Sequence, residues 1–205
     1  MESIQPETTR LQEELITVIR FFHQKGWSPA TSTNYSFRNA DNETYTISAS
    51  GIDKGQFSAL DLMIINKSGN ALPSHKHLNP SQETLLHTML YKNPSINAVL
   101  HTHSVASTVI SRRLAAQKGV SLRGYEVLKG LHGISTHDSE VLIPIFPNSQ
   151  DIASLSKEVD RYYQENPDLY GFLLEGHGLY SWGKSIAEAK KHIEVLEFLF
   201  ECELA

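Results

Sequence analysis

The stretch 98-AVLHTHSVAS-107 opens as an apolar strand and runs into two imidazoles, His101 and His103, with one threonine between them. In an extended chain, residues two apart point to the same side. The spacing predicts that His101 and His103 project together while Thr102 faces the opposite layer. Neutral imidazole is a good ligand for zinc and other first-row divalent ions, and two on one face supply half of a tetrahedral set. A second apolar strand ends the same way: in 172-FLLEGHGLYSW-182, His177 sits between Gly176 and Gly178. Glycines on both sides permit unusual dihedrals and close backbone approach, which suits aiming a ring at a shared point. His101, His103 and His177 are therefore the candidate ligands of one divalent ion. Three histidines leave a coordination position open to substrate oxygens, the arrangement of a catalytic zinc.

The chain has ten histidines and one cysteine, Cys202, so an intrachain disulfide and a cysteine-based zinc site are both excluded. A competing His-x-His occurs in 74-SHKHLNP-80, at His75 and His77, but no apolar strand leads into it. It reads as a solvated loop or the mouth of a pocket. His23, His87 and His192 fall on predicted helices and read as structural, while His132 and His137 lie in a predicted loop with no role assigned.

A length of 205 residues, 40% hydrophobic and 20% charged, suits a single globular domain over residues 1–205. With 18 basic and 23 acidic residues the net charge is −5, which argues against nucleic acid or an anionic membrane surface as partner. An anionic substrate would have to be held by local features. The first residues lack the basic start and small-residue cleavage site of a signal peptide, and no apolar run reaches membrane-span length, so the expected address is the cytoplasm.

Helical spacing of Leu11, Leu15, Ile16, Ile19 and Phe22, with Gly26 as the stop, predicts a first helix. Two strands around Asp41-Asn42 are predicted within 34–50, and another at 62-LMIIN-66. A helix is expected to open at Pro80-Ser81 and end near Asn93-Pro94, and another to run from Val105 to Lys118. Then come a strand at 141-VLIPIF-146, a helix from Asp151 to Gln164, a strand at 170–176 and a last helix capped at Ser185. Helices alternating with strands indicate a layered α/β domain.

Two stretches, 31-TSTNYS-36 and 48-SASGIDKG-55, combine small hydroxyls, an asparagine, glycines and Lys54. Backbone N–H groups with Ser/Thr hydroxyls can hold a phosphate, and Ser81 at a helix start can add its N–H. The same compositions also make ordinary turns. Glu83 falls in the predicted first turn of the Ser81 helix, where it suits the helix dipole. Glu126, between Tyr125 and Val127, reads either as a surface residue of a strand or as a partly buried acid with a pKa raised for proton transfer.

Taken in order, 31-TSTNYS-36, 48-SASG-51, 80-PSQE-83, 101-HTH-103 and 176-GHG-178 resemble the class II aldolase/adducin-head family over nearly the whole chain. The resemblance implies a three-layer fold, a central mixed or antiparallel β-sheet between helical layers. It implies one zinc ion per subunit on the three histidines and a sugar phosphate held by the early loops, with Asn34, Ser36, Ser50, Gly51, Lys54, Ser81 and Glu83 as the substrate-side residues. It also implies a homo-oligomer, usually a tetramer, with active sites between subunits. Within the family, 83-ETLLH-87 and 124-GYEVLKG-130 are similar to a branch that removes water from 5-methylthioribulose 1-phosphate in methionine salvage, leaving a 2,3-diketone phosphate. On that resemblance Glu126 is the acid/base, and Glu83 stands where family aldolases carry a carboxylate near the metal. The alternative is an aldolase or epimerase on the same metal and phosphate sites. Family aldolases use a tyrosine near the C-terminus, and no tyrosine follows Tyr180 here. A non-enzymatic adducin-like module is opposed by the intact triad. One departure stands out: the family commonly has glycine where this chain has Thr33, so a loop needing positive φ there is expected to change shape.

Overall fold

The computed structural model describes residues 6–205. The elements are α1 (Pro6–Gln24), β1 (Asn34–Arg38), β2 (Thr44–Ser48), β3 (Leu62–Asn66), α2 (Thr84–Leu90), β4 (Ala98–Thr102) and α3 (Val105–Arg113). They continue with β5 (Gly119–Leu122), β6 (Val141–Phe146), α4 (Ile152–Glu165), β7 (Gly171–Leu174), β8 (Gly178–Gly183) and α5 (Ile186–Leu204).

The strands form one eight-stranded sheet in the order β3-β2-β1-β4-β8-β7-β6-β5. Only β6 and β7 pair in parallel, so the sheet is mixed and mostly antiparallel. Side-chain alternation sorts the core into two layers. Ala98 and Leu100 of β4 face α1, α3 and α5, among Phe22, Ile110 and Leu196. Val99 faces α2 and α4, among Leu86, Leu90 and Leu155. Each fully buried Leu, Ile or Phe contributes roughly 1.5–3 kcal/mol against the entropy of ordering the chain. The expected three-layer α/β architecture is what the structure has. Among the described residues, no helix is long and apolar enough to cross a membrane.

Three local expectations change. The helix expected at Ser81 starts at Thr84, which moves Glu83 out of the first turn and onto the N-cap. Segment 124–130 is not a strand: Glu126–Gly130 is a 3-10 turn that buries only Leu128. The helix expected to reach Lys118 stops at Arg113, after which a short 3-10 turn ends at Lys118 in the left-handed region. β5, only four residues long, and β8 were not predicted; β8 follows directly on the His177 turn.

Strand directions decide where the site lies. The C-terminal ends of β2, β4, β6 and β7, and the N-terminal ends of β1 and β8, all meet at one edge of the sheet. The chemistry-bearing residues of the sequence collect there.

Candidate active site at the end of the sheet

The site is built on a row across four strands. Register pairs Asn34 of β1 with His101 of β4, His101 with Tyr180 of β8, and Tyr180 with Phe172 of β7. Directly paired residues share a face, so all four side chains point toward the α2/α4 layer. The rings stack accordingly: His101 on Tyr180 with centroids 3.8 Å apart, and Tyr180 on Phe172 at 4.8 Å.

His103, one residue beyond the end of β4, and His177, in the turn between β7 and β8, complete the triad. The three ligating atoms lie within 4.8 Å of one another. His101 Nε2 is 2.7 Å from His103 Nε2 and 3.4 Å from His177 Nε2. His101 Nδ1–H donates to the Leu179 carbonyl at 2.9 Å, and His177 Nδ1–H to Asn148 Oδ1 at 3.3 Å. Each bond fixes the tautomer and leaves the Nε2 lone pair facing the shared point, the usual outer support of a metal-binding histidine. Burial, followed by the neighbouring imidazole, holds His101 well below its ordinary pKa; burial and His177 hold His103 down at about 4. Neutral rings are what a metal requires. Three convergent nitrogens suit a zinc-type ion.

The glycines around His177 have separate reasons. Gly176 has φ +63°, and a Cβ on Gly178 would fall 2.0 Å from the Thr102 carbonyl oxygen. No side chain fits at Gly178 without breaking the β4–β8 contact that brings the histidines together.

Glu83 stands over the triad, its Oε1 3.1 Å from His177 Nε2 and its Oε2 3.6 Å from His101 Nε2. Although burial alone would raise its pKa, the histidines and a hydrogen bond from Asn34 hold it well below the usual carboxylate range. A relay orients it. Asn34 Nδ2–H donates to Glu83 Oε2 at 2.7 Å, and Asn34 Oδ1 accepts from His87 Nε2–H. His87 Nδ1 accepts from the Ser36 hydroxyl at 2.8 Å, and Ser36 Oγ accepts from Tyr91 O–H at 2.7 Å. Burial lowers His87 to about 4, consistent with the neutral ring this direction of donation requires. Tyr180 has a buried hydroxyl, without a hydrogen-bond partner among the described residues, next to Glu83 and Asn34; burial and the Glu83 charge push its pKa up.

The substrate-side residues separate into groups. Asn34 and Ser81 adjoin Glu83, with Ser81 Oγ accepting from Asn34 Nδ2 and from the Glu83 N–H, both at 3.2 Å. Ser50 and Gly51 are exposed at the same edge, and Ser50 N–H donates to the Asn79 carbonyl, joining their loop to the one carrying Ser81. Ser36 is corrected: its hydroxyl is buried in the relay, so it supports Asn34 and has no free face for an anion. Lys54 is also corrected from the expected open anion contact. Its ammonium is enclosed, donates to the Ile52 carbonyl at 2.9 Å and lies over Phe57, and burial lowers its pKa to about 8. Glu126 is apart from the triad. Its side chain is 72% exposed and paired with Lys129 at 2.6 Å, and that hydrogen bond lowers its pKa, contrary to the buried-acid reading.

Thr33 takes φ +73°. The expectation that threonine here would reshape the loop is thereby overturned: the left-handed turn forms with a β-branched residue in it, at a strain of roughly 1–2 kcal/mol. His75 and His77 stack on each other with centroids 6.3 Å apart, outside the triad.

A cleft of about 340 Å³ opens beside His103 and His177, walled by Glu83, Gln82, Asn148 and Thr108. A larger groove, about 950 Å³, includes Arg38, Lys67 and Lys92 but none of the triad. Three of its four cations are already engaged: Lys67 with Glu43, Lys92 with Asp160, and Arg38 with backbone carbonyls. Sequence reasoning passed over Asn148, although β6 runs to the same edge and into 147-PNS-149, just as β4 runs into its histidines.

Comparisons with known proteins agree with this geometry. The sequence profile of the class II aldolase and adducin N-terminal domain family matches residues 13–204. A Marinobacter nauticus protein named methylthioribulose-1-phosphate dehydratase is 45% identical over 193 residues, covering 94% of this chain and 91% of that protein. A Picosynechococcus protein of the same name is 47% identical, covering 97% of this chain and 93% of that protein. The solved L-fuculose-1-phosphate aldolase of Thermus thermophilus superposes with a TM-score of 0.73 at 21% identity, over 96% of this chain and 94% of its own; that likeness is one of fold.

Proposed function

This chain belongs to the class II aldolase and adducin N-terminal domain family, and from that premise we propose that it is the hydro-lyase of methionine salvage acting on 5-methylthioribulose 1-phosphate. The product is 2,3-diketo-5-methylthiopentyl 1-phosphate. The observation that carries the reading is the convergence of His101, His103 and His177 beneath Glu83 in an open cleft, in a chain nearly half identical to proteins named for that reaction.

His101, His103 and His177 would hold one zinc ion, which supplies Lewis-acid polarisation of a ketone when bound. The reaction takes a proton from the carbon beside the ketone, expels hydroxide from the next carbon as water, and leaves an enol that relaxes to the diketone. Glu83, ionised and aimed by Asn34, faces the substrate over the triad. Ser50, Gly51 and Ser81, on adjoining loops at this edge, offer the phosphate hydroxyls and backbone N–H groups. Lys54 adds positive charge from behind this shell, with no direct contact.

Glu126 is the acid/base in this scheme. Its exposed carboxylate lies outside the cleft of its own chain, so it serves across a subunit contact, in a homo-oligomer (a tetramer) whose sites are shared. The enzyme works in the cytoplasm.

The test is direct. Zinc-loaded protein is incubated with 5-methylthioribulose 1-phosphate, and the products are followed by absorbance and mass. Accumulation of the diketone phosphate, eighteen mass units below substrate, supports the proposal. A triose phosphate with an aldehyde would instead make it an aldolase.

A further inference from the structure

One carboxylate in the core has no part in this chemistry. Glu197 lies on α5, on the face of the sheet opposite the triad, and is 0% exposed. Its Oε1 accepts from the Thr102 hydroxyl at 2.7 Å, and its Oε2 accepts from the Ser104 hydroxyl. Those two residues flank His103. The alternation that sends His101 and His103 toward the metal point sends Thr102 and Ser104 toward α5.

A buried carboxylate held only by hydroxyls is costly, because desolvation of the charge is not offset by a cation. Burial pushes its pKa up to about 7. An apolar side chain would fill this layer at less cost, so packing alone gives no reason for an acid here.

The local backbone supplies one. His101 is held in the ladder on both sides, opposite Asn34 and Tyr180. The last β4–β8 ladder pair is Thr102 with Leu179, so His103 lies beyond the ladder, and its N–H donates instead to the Trp27 carbonyl. Among the described residues, no hydrogen bond holds its Nδ1, in contrast to the other two ligands. Glu197 grips the residues on both sides of His103 and so adds to the single backbone hydrogen bond to Trp27.

We propose that Glu197 is a positioning residue that clamps Thr102 and Ser104 and thereby sets the aim of His103, and with it the affinity of the triad for its metal. The inference rests on the reading of the triad as a metal site. Support from beyond the ligand sphere typically changes metal affinity by about 10- to 100-fold.

The experiment measures zinc affinity of the purified full-length protein by competition with a chromophoric chelator, alongside thermal stability of the metal-free form. Glu197→Ala is expected to weaken zinc binding by about 10- to 100-fold and Glu197→Gln by less. A Thr102→Val, Ser104→Ala double variant removes the clamp from the other side, and it answers the question if Glu197→Ala fails to fold. Thr102→Ser, which keeps the hydroxyl, should bind as wild type. Leu199→Ala, a cavity in the same layer, should lose stability and keep its zinc affinity. Wild-type affinity in both Glu197→Ala and the double variant, or equal weakening in Leu199→Ala, would overturn the clamp alone. Wild-type protein that takes up no zinc would remove the metal reading and the clamp with it.

Discussion

Glu83 and Glu126 are the two carboxylates proposed to act on the substrate, and their surroundings could hardly differ more. Glu83 is 16% exposed, anchored by Asn34, and backed by the relay through His87, Ser36 and Tyr91. Glu126 is 72% exposed on a 3-10 turn, with Lys129 and His137 beside it. One carboxylate is positioned by Asn34, set in the register of a sheet, the other by a lysine three residues along its own exposed turn. On the proposed function, the histidine half of the site is built within a single chain, and the acid/base half would need a second subunit.

The largest effect comes from breaking the histidine half. His103→Ala should lose the metal and bring turnover down to background, while His75→Ala keeps both, because His75 lies outside the triad. Metal content of the purified variants, read beside activity, checks this. The reverse pattern would mean the site is centred on the wrong His-x-His.

Next in size is Glu126→Gln, expected to keep metal and stability and to lose about 10²- to 10⁴-fold in kcat, the usual range for an acid/base group. Glu126→Gln and His103→Ala, each nearly inactive alone, also test the sharing of sites. Mixed oligomers of the two should regain activity, since some clefts would combine an intact triad with an intact Glu126. No regain from verified mixed oligomers would place Glu126 in its own chain's site or outside the chemistry.

The same contrast explains what was legible in the sequence. His101 and His103 could be read because a strand alternates with period two, and an apolar run into two imidazoles declares its face. His177 could be read because its two glycines answer a positive φ and a carbonyl in van der Waals conflict with any Cβ. Ser36 was misread because hydroxyls look alike in sequence: whether Ser36 meets a phosphate or His87 is set by β1 packing on α2, a contact between residues 51 apart. Glu197 gave no signal at all, since a glutamate on a helix ordinarily faces water. β5 was missed because 119-GVSL-122 is too short to show alternation.

The clamp itself makes a smaller, pH-dependent difference. A carboxyl whose folded pKa is raised binds a proton more tightly in the native state, so its contribution to stability falls as pH rises from the ordinary 4.5 to about 7. The charged group on its own helix, Glu201, acts in the same direction, and across the layer Tyr35 feels the Glu197 charge. Glu197→Gln should therefore gain stability relative to wild type between pH 4.5 and 7, by about 3 kcal/mol at most. The other titratable groups are common to both proteins and cancel in the difference. Urea midpoints of the metal-free forms at pH 5 and pH 8, at one protein concentration, measure it, and a constant difference would show that the acid carries no raised pKa.

The smallest effect lies on the Glu83 side, at Thr33. Its φ of +73° is a conformation that glycine adopts freely and a β-branched residue does not. Thr33→Gly should relieve about 1–2 kcal/mol of strain and return part of it as added freedom of the unfolded chain, for a net gain of about 1 kcal/mol or less. Its position next to Asn34 makes the kinetic outcome more informative than the stability. If the strained turn only tolerates threonine, kcat and KM should stay within about twofold while Tm rises. A fall in kcat with unchanged metal content would mean that the strain helps hold Asn34, and through it Glu83, in line, so that even the half of the site built on sheet register leans on its loop.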